Sequence, residues 1–258
     1  MKRGYKIILG LILIIVISAV LASQWSEQKG QEPYDEHFSS DYYYAFSFTT
    51  SDILNNFTVY IPFLGPETQY SFGNTIKEQE FGNTDPSWEY DLVETEYGLM
   101  LSISNEKVDP QVMLDYENQA NVIRGEQGEH EDFRYTFYVG MSANHIVNTS
   151  NPIGNEPLLT PMYNISQIYN EEVWSNTAKT YQYDSRIFAE YSTDNSTNVT
   201  ISLSGGGSNS WSPEGEDVDD INYYGVRIES QLSGPQDGWI ITNGRLITGE
   251  GTYREENK

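Results

Sequence analysis

The densest group of acidic side chains follows a run of glycines in the last quarter of the chain. Residues 204–222 have the sequence Ser-Gly-Gly-Gly-Ser-Asn-Ser-Trp-Ser-Pro-Glu-Gly-Glu-Asp-Val-Asp-Asp-Ile-Asn, which predicts a glycine-rich loop. Calcium takes about six to eight oxygen ligands, and flexible acidic loops supply them. The candidate calcium ligands are Glu216, Asp217, Asp219 and Asp220. A solvated acidic turn is the alternative, since the order of oxygens does not match an EF-hand, and no other cofactor is predicted.

Three tryptophans, Trp88, Trp174 and Trp211, lie among polar and turn-forming residues. Exposed aromatic rings in such places stack on sugar rings or contact other proteins, so these three are candidate ligand contacts. The alternative is that they belong to a β-rich core and its rim. Aromatic residues are plentiful enough for that, with 20 tyrosines in 258 residues.

The sequence carries no recognised catalytic motif, so no catalytic residue is predicted. The chain has no cysteine, which excludes thiol nucleophiles, thiolate zinc sites and disulfides. His130 is followed four residues later by Arg134 and not by the second histidine of a zinc protease. A non-enzymatic role is therefore favoured. The alternative is a carbohydrate-active enzyme, which would need two convergent carboxylates in a cleft lined by tryptophan.

Five asparagines occupy Asn-x-Ser/Thr sequences, the acceptor pattern for N-linked glycans. This pattern predicts exposed positions in a protein that is delivered outside the cell. The candidate glycosylation sites are Asn56, Asn148, Asn164, Asn195 and Asn198.

The N-terminus predicts a membrane segment. Residues 1–6 are basic, and residues 7–23 are an uncharged apolar run that spans roughly 25 Å as a helix. Because the cations precede this run, the N-terminus is expected inside the cell and residues 24–258 outside, as a single-pass cell-membrane protein. One alternative is a secreted protein after cleavage beyond Ala22. Another is a pilin-like filament subunit processed at Arg3-Gly4.

The charge of the chain limits its partners. The whole sequence carries a formal charge of −24, and because Lys2, Arg3 and Lys6 precede the apolar run, residues 24–258 carry −27. Such a surface repels a phosphate backbone, so nucleic acid is excluded as a partner. The expected partners are the membrane, through residues 7–23, and carbohydrate or an envelope protein.

Hydrophobic patterning predicts strands after a polar tether at residues 24–40. Apolar residues alternate with polar ones in short runs, for example Tyr44-Phe46-Phe48, Val59-Ile61-Phe63 and Val199-Ile201-Leu203. One apolar and one polar face favour antiparallel pairing. We predict an all-β fold after the N-terminal hydrophobic helix: an antiparallel β-sandwich over residues 41–250, jelly-roll-like or Ig-like, with a polar tail at 251–258. One domain is favoured over two separated near residues 148–178.

Local signals add one hairpin and two short helices. Asn243-Gly244 lies between two apolar runs and predicts a tight type I′ turn. Asp109-Pro110 predicts a helix through Leu114, and a second helix is predicted within Asn164–Ser175. Together these features predict a membrane-anchored extracellular protein that binds a ligand or forms part of the cell envelope.

Overall fold

A computed structural model describes residues 38–65, 87–110, 133–169, 178–211 and 220–253. Apart from Pro110, whose backbone is helical, the regular structure in these ranges consists of β-strands. In chain order they are Ser39–Thr50 (β1), Leu54–Leu64 (β2), Glu89–Thr95 (β3), Gly98–Val108 (β4), Phe133–Ser142 (β5), Leu159–Thr160 (β6), Tyr163–Ile168 (β7), Lys179–Ser192 (β8), Asn198–Trp211 (β9), Asp220–Ser233 (β10) and Gln236–Gly251 (β11).

The strands form where apolar and polar residues alternate. In β1, Tyr44, Phe46 and Phe48 are fully buried, whereas the residues between them keep part of their surface in solvent. The same pattern holds in β9 for Val199, Ile201 and Leu203. A strand presents successive side chains to opposite faces, so this alternation places one face on a core.

The strands join into one antiparallel sheet. Its order is β3-β4-β2-β8-β11-β10-β9-β1-β5, with β6 paired to β2 and β7 paired to β8. The prediction of an all-β antiparallel fold is therefore confirmed. The two-layer sandwich is not confirmed, because these strands follow one another within a single curled sheet.

Contacts between distant parts of the sheet show how it curls. β1 lies next to one edge of the order and β2 lies near the other. Nevertheless the Tyr44 ring contacts Phe63 at 5.2 Å between centroids, and the Phe48 ring stacks on Phe57 at 5.0 Å. The hydroxyls of Tyr90 and Tyr135 also form a hydrogen bond between the edge strands β3 and β5. The two ends of the sheet therefore face each other across one aromatic core.

Two glycine segments that predicted turns lie inside strands, and both predictions are wrong. Asn243-Gly244 lies within β11, and the turn between β10 and β11 is at Gly234, whose φ is +67°. Gly205, Gly206 and Gly207 are buried in β9 and do not form a loop. Side chains or backbone of neighbouring strands occupy the space beside these glycines. Glycine is needed here because a Cβ atom would collide with them.

The helix predicted within Asn164–Ser175 is wrong over its first part, since Tyr163–Ile168 form β7 paired with β8. Residues 170–175 lie outside the described ranges, as do residues 111–114 of the other predicted helix. The apolar run 7–23 and the tether up to residue 37 lie outside them as well. Among the described residues, no helix is both long and apolar enough to cross a membrane.

The chain divides into two compact units. The strands described above lie in the unit formed by Ser39–Asn209 and Ile221–Lys258, except for Ser210 and Trp211 at the end of β9 and Asp220 at the start of β10. The other unit comprises Met1–Phe38 and Ser210–Asp220, and the structure describes four of its residues, Phe38, Ser210, Trp211 and Asp220.

Candidate functional site

Trp88 belongs to the core and is not a surface contact for a ligand. Its side chain is 1% exposed, and its ring stacks on Tyr135 at 4.3 Å and meets Phe48 and Phe57 edge-on. Polar residues flank it in the sequence because its neighbours, Ser87 and Glu89, are exposed. Trp211 is the half-buried last residue of β9, and Trp174 lies outside the described ranges.

The calcium prediction rests mostly on residues that the structure does not describe. Asp220 is the half-buried first residue of β10, whereas Glu216, Asp217 and Asp219 lie outside the described ranges. Within the described ranges, histidine, aspartate and glutamate side chains do not gather in threes around a point that could hold a metal. Calcium at residues 216–220 therefore stays a prediction.

The asparagines of the five predicted glycosylation sites are all exposed. Two of them, Asn56 in β2 and Asn164 in β7, have φ near +53°, in the left-handed region that asparagine tolerates better than most residues. Each lies where the pairing of its strand with β8 shifts register, which marks a β-bulge. The sites on these two strands are thus fixed by the sheet and do not lie on long loops.

A line of polar side chains crosses the outer face of the sheet. The registers of β3, β4, β2, β8 and β11 place one residue of each strand side by side. This line faces away from the core, because the neighbours of its members along the chain are buried. These buried neighbours are Phe57, Ile103 and Ala189. We call this line the acidic row, and its members in sheet order are Glu89, Ser104, Thr58, Glu190 and Asp237.

Aromatic side chains lie beside the acidic row on the same face. Two residues further along the same strands, the registers bring together Asp91, Ser102, Tyr60, Phe188 and Trp239. Tyr60 stacks on Phe188 at 4.8 Å, and the Trp239 ring meets Phe188 edge-on at 5.5 Å. Tyr97, from the turn between β3 and β4, meets Trp239 at 4.7 Å with 77° between the ring planes.

We call Tyr60, Tyr97, Phe188 and Trp239 the outer aromatic patch. Each of the four is half-buried, so the rings support one another and keep part of their surface in solvent. At the far side of the patch, the Arg186 guanidinium lies 6.0 Å from the centre of the Tyr97 ring and 5.5 Å from that of Tyr163. Ile241 in β11 is the cross-strand partner of Arg186, and its side chain is 66% exposed.

A polar groove of about 450 Å³ opens at the acidic row. Its walls come from β2, β3, β4 and β8, and it holds the carboxylates of Glu89, Glu106 and Glu190 beside the hydroxyls of Thr58 and Ser104. The remaining lining residues are Asn56, Phe57, Ser87 and Asn105. Carboxylate and hydroxyl oxygens accept hydrogen bonds from hydroxyl groups, and aromatic rings pack against the CH groups of sugars. The face therefore combines the two kinds of contact that a sugar requires.

The residues of this face were not selected from the sequence, although a signal for them exists. Tyr60 lies between Val59 and Ile61, and Phe188 lies between Ile187 and Ala189. In each strand, the aromatic residue occupies the position where the alternation expects a polar residue. Large aromatic residues at the alternating positions of a strand that face solvent are therefore the sequence signal for this face.

The chain was compared with family models, with curated proteins and with solved structures, and none of them matches it.

Proposed function

We propose that this chain is an N-terminally anchored extracellular β-protein that binds neutral carbohydrate on the outer aromatic patch and the acidic row. The observation that carries the proposal is the cluster of Tyr60, Phe188 and Trp239 on the solvent side of the sheet, directly beside aligned carboxylates and hydroxyls. The apolar run 7–23 and the five glycosylation sequences support the placement outside the cell.

The charge of the protein favours a neutral ligand. Residues 24–258 carry −27, and Glu89, Asp91, Glu106, Glu190 and Asp237 lie on the same face as the patch. Anionic polysaccharides would be repelled by this field, and so would a second copy of the same face. A neutral oligosaccharide avoids the repulsion, and its hydroxyl groups donate hydrogen bonds to the carboxylates.

For the fold, we propose that the curled sheet packs in the manner of a jelly-roll-like β-sandwich. The pairs Tyr44–Phe63 and Phe48–Phe57 support this arrangement, because they bring β1 onto β2 across the core. The strands near each end of the sheet would then act as the two layers.

Removal of one aromatic ring tests the binding site. Trp239→Ala in the full chain, held in detergent, should weaken retention on immobilised neutral polysaccharides by about tenfold or more, since a ring stacked on a sugar contributes about 1–3 kcal/mol, by analogy with stacked bases. Tyr138→Ala removes another aromatic ring, 62% exposed on β5, and should leave retention unchanged. Equal retention of both variants and the wild type would refute the site.

Placement outside the cell is tested separately. Protease added to intact cells should remove epitopes within residues 41–250 and leave a tag at the N-terminus intact. Protection of the β-domain until the cells are lysed would contradict an extracellular location.

A carbohydrate-active enzyme is the second candidate. Glu190 and Asp237 are direct cross-strand partners, and Trp239 lies two residues from Asp237. Directly opposed residues of antiparallel strands have Cβ atoms about 4.5–5.5 Å apart, and the two carboxyl groups of a retaining glycosidase are about 5–5.5 Å apart. Both residues are exposed on an open face, which favours binding over catalysis. Release of reducing ends from a bound polysaccharide, abolished in Glu190→Gln, would establish the enzyme.

The filament subunit is the third candidate, and it makes a distinct prediction about the mature protein. Sequencing of the N-terminus would find Tyr5 as the first residue if Arg3-Gly4 is a processing site. An intact N-terminus would instead support the retained anchor.

A further inference from the structure

We infer that Asn56 carries an N-linked glycan that lies in the polar groove, so that the sugar-binding face is occupied by the protein's own glycan. The inference rests on the proposed function for the affinity of this face for sugar. It goes beyond the predicted glycosylation of Asn56 by placing the glycan in the groove, where the glycan regulates access to the patch.

The backbone fixes Asn56 at the groove. The register of β2 against β8 shifts between Asn55 and Thr58, and both Asn55 and Asn56 are exposed, as expected at a bulge. Phe57 follows and is fully buried, so the strand is anchored at the middle residue of the sequence Asn56-Phe57-Thr58. Asn56 itself lines the groove together with Glu89 and Glu190. A glycan attached here therefore begins at the wall of the site.

The other four glycosylation sequences do not lie at the groove. The side chains of Asn148, Asn164, Asn195 and Asn198 do not line the groove. Asn164 has the same φ, but its amide nitrogen donates a hydrogen bond to Asp184 at 2.6 Å. Asn195 lies in the turn between β8 and β9 and serves as a matched control.

The covalent step is an ordinary glycosyl transfer. The Asn56 Nδ2 atom bonds to the anomeric carbon of a lipid-linked oligosaccharide phosphate on the outer side of the membrane. The bond from that carbon to the phosphate oxygen breaks, the lipid phosphate leaves, and Nδ2 loses one proton. Thr58 supplies the hydroxyl residue that the acceptor pattern requires.

Tethering makes weak contacts sufficient. A ligand on a short flexible link has an effective concentration on the order of millimolar, so a site with a Kd of about 0.1 mM for the free sugar is about nine-tenths filled by an attached one. The groove volume of about 450 Å³ lies in the range that small ligands occupy, about 300–1,000 Å³. Glu89, Glu106 and Glu190 would accept hydrogen bonds from the first sugars of the glycan.

The test compares release of glycans from the folded full chain. An amidase that cleaves the Asn–glycan bond should remove the Asn56 glycan about tenfold more slowly than the Asn195 glycan, as followed by glycopeptide mass spectrometry. In the double variant Glu89→Ala/Glu190→Ala, and after denaturation, the two rates should become equal. An unmodified Asn56, or equal rates in the folded wild type, would overturn the inference.

A second measurement separates this inference from the proposed function. Asn56→Gln should bind a soluble neutral oligosaccharide about tenfold more tightly than the wild type or Asn195→Gln. Equal binding by all three would overturn the inference and leave the proposed function intact. If no variant binds the soluble sugar but the Asn56 glycan is protected, the inference stands and the external ligand is wrong.

Discussion

Tyrosine and glycine are paired across the strands of this protein. Gly244 in β11 lies opposite Tyr183 in β8, and a Cβ atom at Gly244 would fall on the Tyr183 ring. At Gly207, a Cβ atom would lie 2.8 Å from the Tyr224 ring and 2.9 Å from the Tyr42 ring. These glycines create the space that large rings need inside a close-packed sheet.

Substitution of such a glycine should therefore be destabilising. We expect Gly244→Ala to lower the free energy of unfolding by about 1–3 kcal/mol, the usual cost of overpacking. Gly140→Ala is the matched control, since a Cβ atom there would meet its nearest neighbour, the Tyr138 ring, at 3.6 Å, an ordinary contact distance. Urea unfolding measures both, and equal midpoints for the two variants would contradict this account.

Buried phenols should make the fold sensitive to alkali. Burial raises the pKa of four core tyrosines above the usual 10.0, namely Tyr44, Tyr183, Tyr191 and Tyr224. Below about pH 9 both states keep these protons, so stability does not depend on them. Above about pH 10 the unfolded chain releases protons that the folded chain retains, and stability falls by up to about 1.4 kcal/mol per pH unit for each tyrosine.

Urea midpoints measured between about pH 8 and pH 11 check this expectation, and Tyr183→Phe should reduce the slope above about pH 10. A midpoint that stays constant to about pH 11 in the wild type would show that the phenols ionise freely in the folded protein.

At the scale of elements, one asparagine holds the segment after β5 against the sheet. Asn209 Oδ1 accepts hydrogen bonds from Ser40 Oγ at 2.7 Å and from the Val147 amide at 2.9 Å. Its Nδ2 donates to the Val147 carbonyl at 2.8 Å and to Asn222 Oδ1 at 2.9 Å. All four hydrogen-bonding positions of the Asn209 amide are therefore used in a buried setting.

Asn209→Leu keeps the volume and removes these bonds. We expect it to lower the free energy of unfolding by about 2–3 kcal/mol, because the Val147 amide and carbonyl lose their partner while buried. Asn243→Leu, at an exposed position of β11, should change it by less than about 0.5 kcal/mol. A similar effect of the two substitutions would mean that the network does not hold the segment.

The elements also show what the sequence can and cannot predict. The alternation in β1 and β9 predicted strands correctly, because burial of one face imposes a period of two residues. Asn243-Gly244 misled because the same dipeptide that suits a type I′ turn also leaves room for the Tyr183 ring. Only the residue on the paired strand decides between these two uses of glycine, and a short stretch of sequence does not show which strands pair.

The fold class of the protein could be predicted from the sequence, but the order of the strands could not. β2 pairs with β8, and β1 pairs with β5. Strands that are neighbours in the sheet are therefore separated by long stretches of chain. The same reason hides the candidate site. Tyr60, Phe188 and Trp239 are far apart in the sequence and meet only because β2, β8 and β11 are neighbours in the sheet.

Hydroxyl-radical footprinting with a bound neutral oligosaccharide reports the exposure of individual side chains and therefore locates the sugar on the protein. Oxidation of Trp239, Tyr97 and Tyr60 is expected to fall when the sugar binds, whereas oxidation of Tyr138, exposed on β5, should stay the same. Protection of Tyr138 with unchanged oxidation of Trp239 would contradict the assignment of the outer aromatic patch as the carbohydrate-binding face.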